Sequence, residues 1–143
     1  MIDNFEREKK ERIDLLGEQS QLQRDAFDFL SNAERYKYSY NFTWMGRPII
    51  QYPQDIIAMQ ELIWELKPDA IIETGIARGG SIVFYASMLE LIGKGEVLGI
   101  DIDIREHNRA DIELHPMFKR ISMIEGDSVS GQVMEQVAAF AEG

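Results

Sequence analysis

Cysteine is absent from all 143 residues, which removes disulfides, thiolate nucleophiles and Cys-ligated zinc together. The same absence agrees with a reducing cytoplasm, the expected location. Long hydrophobic runs are also missing. The most apolar stretch, Ile82 to Ile92, is interrupted by Glu90 and falls far short of the ~20 residues a membrane span needs, so it reads as a helix buried in protein. Met1 to Glu18 is densely charged and lacks the apolar centre of a signal peptide, so export is not indicated. Positive charge is scarce: 15 Lys and Arg against 25 Asp and Glu leave a formal net charge of -10. A field of that sign repels phosphate backbones and anionic lipid. It argues against a nucleic-acid partner and favours a small-molecule one.

What is present fits one globular domain: 45% of the residues are hydrophobic, enough to bury a core at this length. No repeat or low-complexity segment occurs. Asn4 to about Arg35 reads as polar helix, with Ile13, Leu15, Leu16, Phe27 and Leu30 as sparse apolar anchors and mixed charge around Lys9 to Arg12 typical of a solvated face. Tyr36 to Tyr52 is aromatic and turn-rich, either an ordered loop over a pocket or rings that pack the helical segment onto a sheet. Residues 1–52 are therefore expected to form an appended segment and 53–143 the α/β portion.

Pro53 opens a helix, because proline suits a first turn and Asp55 faces the positive end of the dipole. Ile56, Met59, Ile63 and Leu66 keep helical spacing until Lys67-Pro68. The period then changes. Asp69 to Thr74 reads as a strand buried on both faces, Gly79 to Ile92 as an apolar helix, and Glu96 to Asp101 as a second strand, a βαβ unit with parallel strands. Ile104 to Phe118 is polar with a short helix. Arg120 to Ile124 is a third strand, and Val133, Met134, Val137 and Phe140 mark one face of a last helix.

The run Glu73-Thr74-Gly75-Ile76-Ala77-Arg78-Gly79-Gly80-Ser81 lies between strand and helix, where backbone N–H groups and a helix N-terminus meet the carboxyl edge of a parallel sheet. Nucleotide-like cofactors bind at such edges. Asp101 ends the second strand about 20 residues beyond the glycines, the spacing of a carboxylate that accepts from both ribose hydroxyls. The best frame is Gly75-x-Ala77-x-x-Gly80, with alanine where a dinucleotide loop needs glycine to admit a pyrophosphate. Glu73 would repel that pyrophosphate but favour the ammonium and sulfonium of S-adenosylmethionine. Asp127, just past the third strand, is placed either to meet an adenine amino group or to cap the last helix.

Tyr40-Asn41-Phe42-Thr43-Trp44-Met45-Gly46-Arg47-Pro48, Gln51-Tyr52-Pro53, Glu73-Thr74-Gly75 with Gly79-Gly80-Ser81, Gly99-Ile100-Asp101 and Glu125-Gly126-Asp127 together resemble the cephalosporin hydroxylase and rhamnosyl O-methyltransferase family. The likeness runs from about Tyr40 to the end. It implies a class I methyltransferase fold, a Rossmann-like parallel sheet of which this chain carries the N-terminal half only, and O-methyl transfer from S-adenosylmethionine to an antibiotic, sugar or glycolipid hydroxyl. Carried over by position, Glu73, Gly75 and Gly79 form the loop around the methionine part, with Ala77, Arg78, Gly80 and Ser81 as further residues of the cofactor loop. Asp101 holds the ribose, and Asp127 lies beside the adenine. The divalent metal, Mg, that the family can use takes its ligands from later strands, outside these residues. No catalytic residue is assigned.

Other readings fare less well. Asp101, Asp103, His107 and His115 match no common metal spacing, no G-x-S-x-G elbow surrounds Ser81, and no Gly-Lys-Ser/Thr follows the glycines to make a P-loop. Two alternatives stay open: a nicotinamide-dependent oxidoreductase, and a non-catalytic interaction module in which the loop is vestigial. A sheet that begins at its first strand would leave an edge open to pairing, so a homo-oligomer is expected.

Overall fold

The structure, a computed structural model, describes residues 2–142. Met1 and Gly143, the outer ends of the two expected segments, lie outside the described residues. The chain divides into two compact units, residues 1–38 and 39–143. The division falls at Ser39 and not at Pro53, because residues 42–49 are bound to the helix and loop that follow them.

The first unit holds α1, Ile2–Gly17, and α2, Ser20–Glu34. Both are helices of surface character: Lys10 pairs with Asp14 at 2.7 Å and Arg12 with Glu8 at 3.5 Å, each one turn apart. The expected anchors Ile13, Leu15, Leu16 and Phe27 are all more than half exposed, and no residue of α2 is buried. Phe29 meets Tyr38 edge to face, with ring centroids 6.0 Å apart.

The second unit opens with an antiparallel hairpin, β1, Phe42–Trp44, and β2, Arg47–Ile49. The expectation of a loop here is corrected. Met45 and Gly46 both take positive φ, 45° and 85°, as a two-residue turn matched to strand twist requires. Next come α3, Pro53–Leu66; β3, Ala70–Thr74; α4, Gly80–Ile92; β4, Glu96–Asp101; α5, Glu106–Glu113; a 3₁₀ turn, Pro116–Arg120; β5, Ile121–Glu125; and α6, Gly131–Glu142. The strands form a parallel sheet in the order β3-β4-β5, Glu73 opposite Gly99 and Asp101 opposite Glu125.

Side-chain alternation along β4 sorts the core. Val97 packs with Phe84, Ile82, Leu89 and Ile63 of α4 and α3, whereas Leu98 and Ile100 pack with Val133, Val137 and Phe140 of α6. Helices thus cover both faces, the layering of an α/β domain. β4, with Val97 to Ile100 buried, is the strand enclosed on both faces. β3 was expected in that role, but it pairs with β4 alone among the described residues, and Ile72 is 43% exposed.

Candidate functional site

All three parallel strands end at one edge, and the backbone ladder runs one bond past two of them. Gly75 N–H donates to Ile100 O at 2.7 Å, and Gly126 N–H to Asp101 O at 2.8 Å. Gly75, Asp101 and Gly126 are therefore aligned across the sheet. The glycine loop turns away from this line through positive φ at Gly75, Ala77 and Gly79. Its anchor is Ile76, 2% exposed, seated over Gly99, where any added Cβ would lie 2.9 Å from the Ile76 side chain.

Asp101 locks the loop from the neighbouring strand. Its Oδ2 accepts from Ile76 N at 2.7 Å and Ala77 N at 3.2 Å, and Oδ1 accepts from Asp103 N at 3.3 Å. Burial opposes ionisation of this carboxyl, but the backbone N–H groups of Asp103, Ala77, Ile76 and Ile102 outweigh it and hold the pKa below the usual range.

Glu73 behaves in the opposite sense. Burial pushes its pKa up to about 7 against the bond from Ser81, whose Oγ donates to Oε2 at 2.8 Å. The desolvated carboxyl favours a cationic ligand, which would restore its charge.

Behind the loop stands a brace that sequence reasoning missed. The Arg47 guanidinium donates to Arg78 O through Nε at 3.0 Å and Nη2 at 2.6 Å, and it pairs with Asp111 through Nη1 at 2.5 Å. The buried Asn108 donates from Nδ2 to Ala77 O at 3.1 Å. Arg47 lies inside the Tyr40 to Pro48 motif, whereas Asn108 gave no signal. Only folding brings α5 against the loop.

Three adjoining cavities line the edge. One of about 100 Å³ is bordered by Glu73, Gly75, Ala77, Gly80, Ser81 and Gln51. A second, about 330 Å³, includes Ala77, Asp101, Asp103, Arg105, His107 and Asn108. A third, about 290 Å³, includes Gly75, Asp101, Ile102, Gly126 and Asp127. Gly75, Ala77 and Asp101 each border two of the three. Gly79 lines none of the three; its back faces Ile112, whose side chain is 2.5 Å from where a Cβ would lie.

Asp127 accepts from Val129 N at 3.1 Å, closing a tight turn, while Val133 N donates to Ser130 Oγ at 3.3 Å at the start of α6. The capping role weighed for Asp127 therefore belongs to Ser130. His115 is drawn away from Asp101: its Nδ1 accepts from Met117 N, and its Nε2 meets Met45 O at 3.1 Å.

The family model described as rhamnosyl O-methyltransferase/CmcI matches residues 36–143. The rhamnosyl O-methyltransferase of Mycobacterium leprae (strain TN) is 34% identical over 96 residues, covering 66% of this chain and 40% of that protein. That of Mycobacterium tuberculosis (strain ATCC 25618 / H37Rv) is 30% identical over 99 residues, covering 66% and 38%. The chain thus spans 40% or less of the length of these curated relatives. A CmcI apo structure superposes with a TM-score of 0.55 at 23% identity, covering 68% of this chain and 40% of that one. A CmcI structure with Mg and S-adenosylmethionine also gives 0.55, at 24% identity, covering 67% and 40%. These likenesses establish the fold as the Rossmann-like α/β fold of CmcI. With three quarters of its length inside the family match, the chain belongs to the rhamnosyl O-methyltransferase/CmcI family.

Proposed function

We propose that this chain holds S-adenosylmethionine along the carboxyl edge of β3, β4 and β5, as the cofactor-binding portion of an O-methyltransferase for a small-molecule, sugar or glycolipid hydroxyl. The observation that carries the reading is the polarity of the loop. Where a dinucleotide loop offers free N–H groups to a pyrophosphate, Ile76 and Ala77 N–H are engaged by the Asp101 carboxylate, and Glu73 adds a second acid at the loop's start. That donor set fits a cation and disfavours a phosphate.

In this reading Glu73 neutralises the ammonium of the amino-acid arm, Asp101 accepts from the ribose hydroxyls, and Asp127 meets the adenine amino group. Ile102, 74% exposed beside Asp101, offers an apolar face to the purine. The cofactor supplies an electrophilic methyl group on sulfur; the chain contributes position, by fixing both ends of the ligand along one sheet edge. No three His, Asp or Glu among the described residues converge on a metal position. The sugar acceptor is supported by the names of the relatives, which specify a rhamnosyl group.

Calorimetric titration with S-adenosylhomocysteine, with NAD as comparison and Asp101→Ala as control, tests the assignment. Saturable binding that is lost in the variant and absent with NAD is expected. Binding of NAD alone would replace the reading with a nicotinamide one, and binding of neither would turn attention to a protein partner.

A further inference from the structure

Among the described residues one buried side-chain oxygen or nitrogen has no hydrogen-bond partner, and it is Gln51 Oε1. Gln51 follows the hairpin just before α3 and lines the cavity of about 100 Å³ with Glu73 and Ser81. The buried Tyr85 phenol has its pKa raised first by desolvation and then by the nearby Glu73 charge.

An unmade hydrogen bond at a buried acceptor is unfavourable enough that folded proteins rarely keep one without a reason. Glu73 borders the same cavity, with Ser81 bonded to Oε2 of its partly buried carboxyl. Both side chains thus border one small cavity. Arg78 also lines it, but it is exposed and makes no ion pair with Glu73 among the described residues. A compact donor with several N–H bonds and one positive charge satisfies both acceptors together, and a primary ammonium is that group.

We propose that Gln51 is a binding residue for the amino-acid arm of the cofactor, its Oε1 sharing the primary ammonium with Glu73. This assignment rests on the cofactor reading above and adds to it a residue from outside the sheet and the glycine loop.

The test compares two ligands on the full chain. S-adenosylhomocysteine carries the ammonium; 5′-methylthioadenosine keeps the adenine, ribose and thioether but lacks the whole amino-acid end. Gln51→Leu is expected to weaken S-adenosylhomocysteine about ten-fold or more and to leave 5′-methylthioadenosine unchanged. Gln51→Glu, which keeps an acceptor, should retain or tighten S-adenosylhomocysteine. Equal loss for both ligands, or no loss for either, would overturn the role of Gln51 while the cofactor assignment stood. Failure of the unaltered chain to bind S-adenosylhomocysteine would instead sink the cofactor assignment itself. If thermal melts show Gln51→Leu unfolded, the Glu variant decides: a drop confined to S-adenosylhomocysteine overturns the proposal, and retained binding supports it.

Discussion

Gly80→Ala sets two effects of known sign against each other. Gly80 is the first residue of α4, and in an ordinary helix position alanine would stabilise by roughly 0.5–1 kcal/mol. Here an added Cβ would lie 2.2 Å from Pro48 O, 2.5 Å from Pro48 C and 2.6 Å from Ile49 Cα. The obstacle is backbone, so no rotamer change relieves it, and β2 must recede by about 1 Å to reach ordinary contact. Movement of β2 is opposed by Arg47, bound to Arg78 O and Asp111, and by Trp44 Nε1, which donates to Ser87 Oγ at 2.9 Å. Overpacking of this kind costs typically 1–3 kcal/mol, so the clash wins and the net loss is about 1–2 kcal/mol. With a urea m-value of about 1–3 kcal/mol/M for a domain of this size, the denaturation midpoint should fall by roughly 0.5–1 M. Affinity for S-adenosylhomocysteine should fall too, because the same retreat carries Gln51 from Glu73. Gly75→Ala is the comparison: φ there is +90° with nothing within 4 Å of the new Cβ, so only backbone strain is added. A midpoint for Gly80→Ala equal to or above that of the unaltered chain would refute the packing argument and show helix propensity in control.

Three further outcomes follow from the same geometry. The folded pKa of Glu73, about 7, exceeds its ordinary 4.5. Between those values the unfolded chain has lost a proton that the folded chain keeps, so stability falls as pH rises through the window, by on the order of 2–3 kcal/mol. Glu73→Gln should erase that slope in urea melts from pH 4 to 8, and it should also abolish the rise in S-adenosylhomocysteine affinity expected toward pH 7. Arg47→Lys cannot reproduce the forked contact to Arg78 O and Asp111; amide exchange at Ala77 to Gly79 should accelerate about ten-fold, with about 1–2 kcal/mol of stability lost. Ala77 holds φ +47°, a left-handed conformation that disfavours any Cβ by about 1–2 kcal/mol. Ala77→Gly should therefore leave stability unchanged or raise it by up to about 1 kcal/mol, after the greater freedom of glycine in the unfolded chain is subtracted. A clear loss in the melting curve would contradict the strain assignment.

The elements legible in the sequence were those with local punctuation. The bounds of β4 are Glu96 and Asp101 as read, α3 starts at Pro53, and Lys67 closes it with φ +46° ahead of Pro68. The hairpin escaped because its strands are three residues each, too short for an alternation to register among aromatic residues. The burial of β3 was misjudged because an apolar run reports side-chain character, not whether a helix lies over each face: α6 packs on Leu98 of β4, while the neighbouring Ile72 stays 43% exposed. At the site, the acids and glycines were visible by spacing. Their mutual contacts were not: Asp101 and Ala77 are joined by a bond across 24 positions and Arg47 and Asp111 across 64, and nothing in the local pattern of either segment encodes such a pairing. Asp127 and Ser130 are both competent caps, and the choice depends on where α6 begins.

The two tryptophans stand in contrasting surroundings. Trp44 meets Phe84 edge to face at 4.8 Å between ring centroids and is hydrogen-bonded to Ser87, whereas Trp64 is 58% exposed with Lys67 Nζ 5.3 Å from its ring. The indole of Trp44 will therefore emit at shorter wavelength and resist aqueous quenchers, and that of Trp64 will emit near the water limit and be quenched readily. Seating of the hairpin is written into the ultraviolet emission of the native chain, where a Trp64→Phe background would let it be watched in real time without any attached dye.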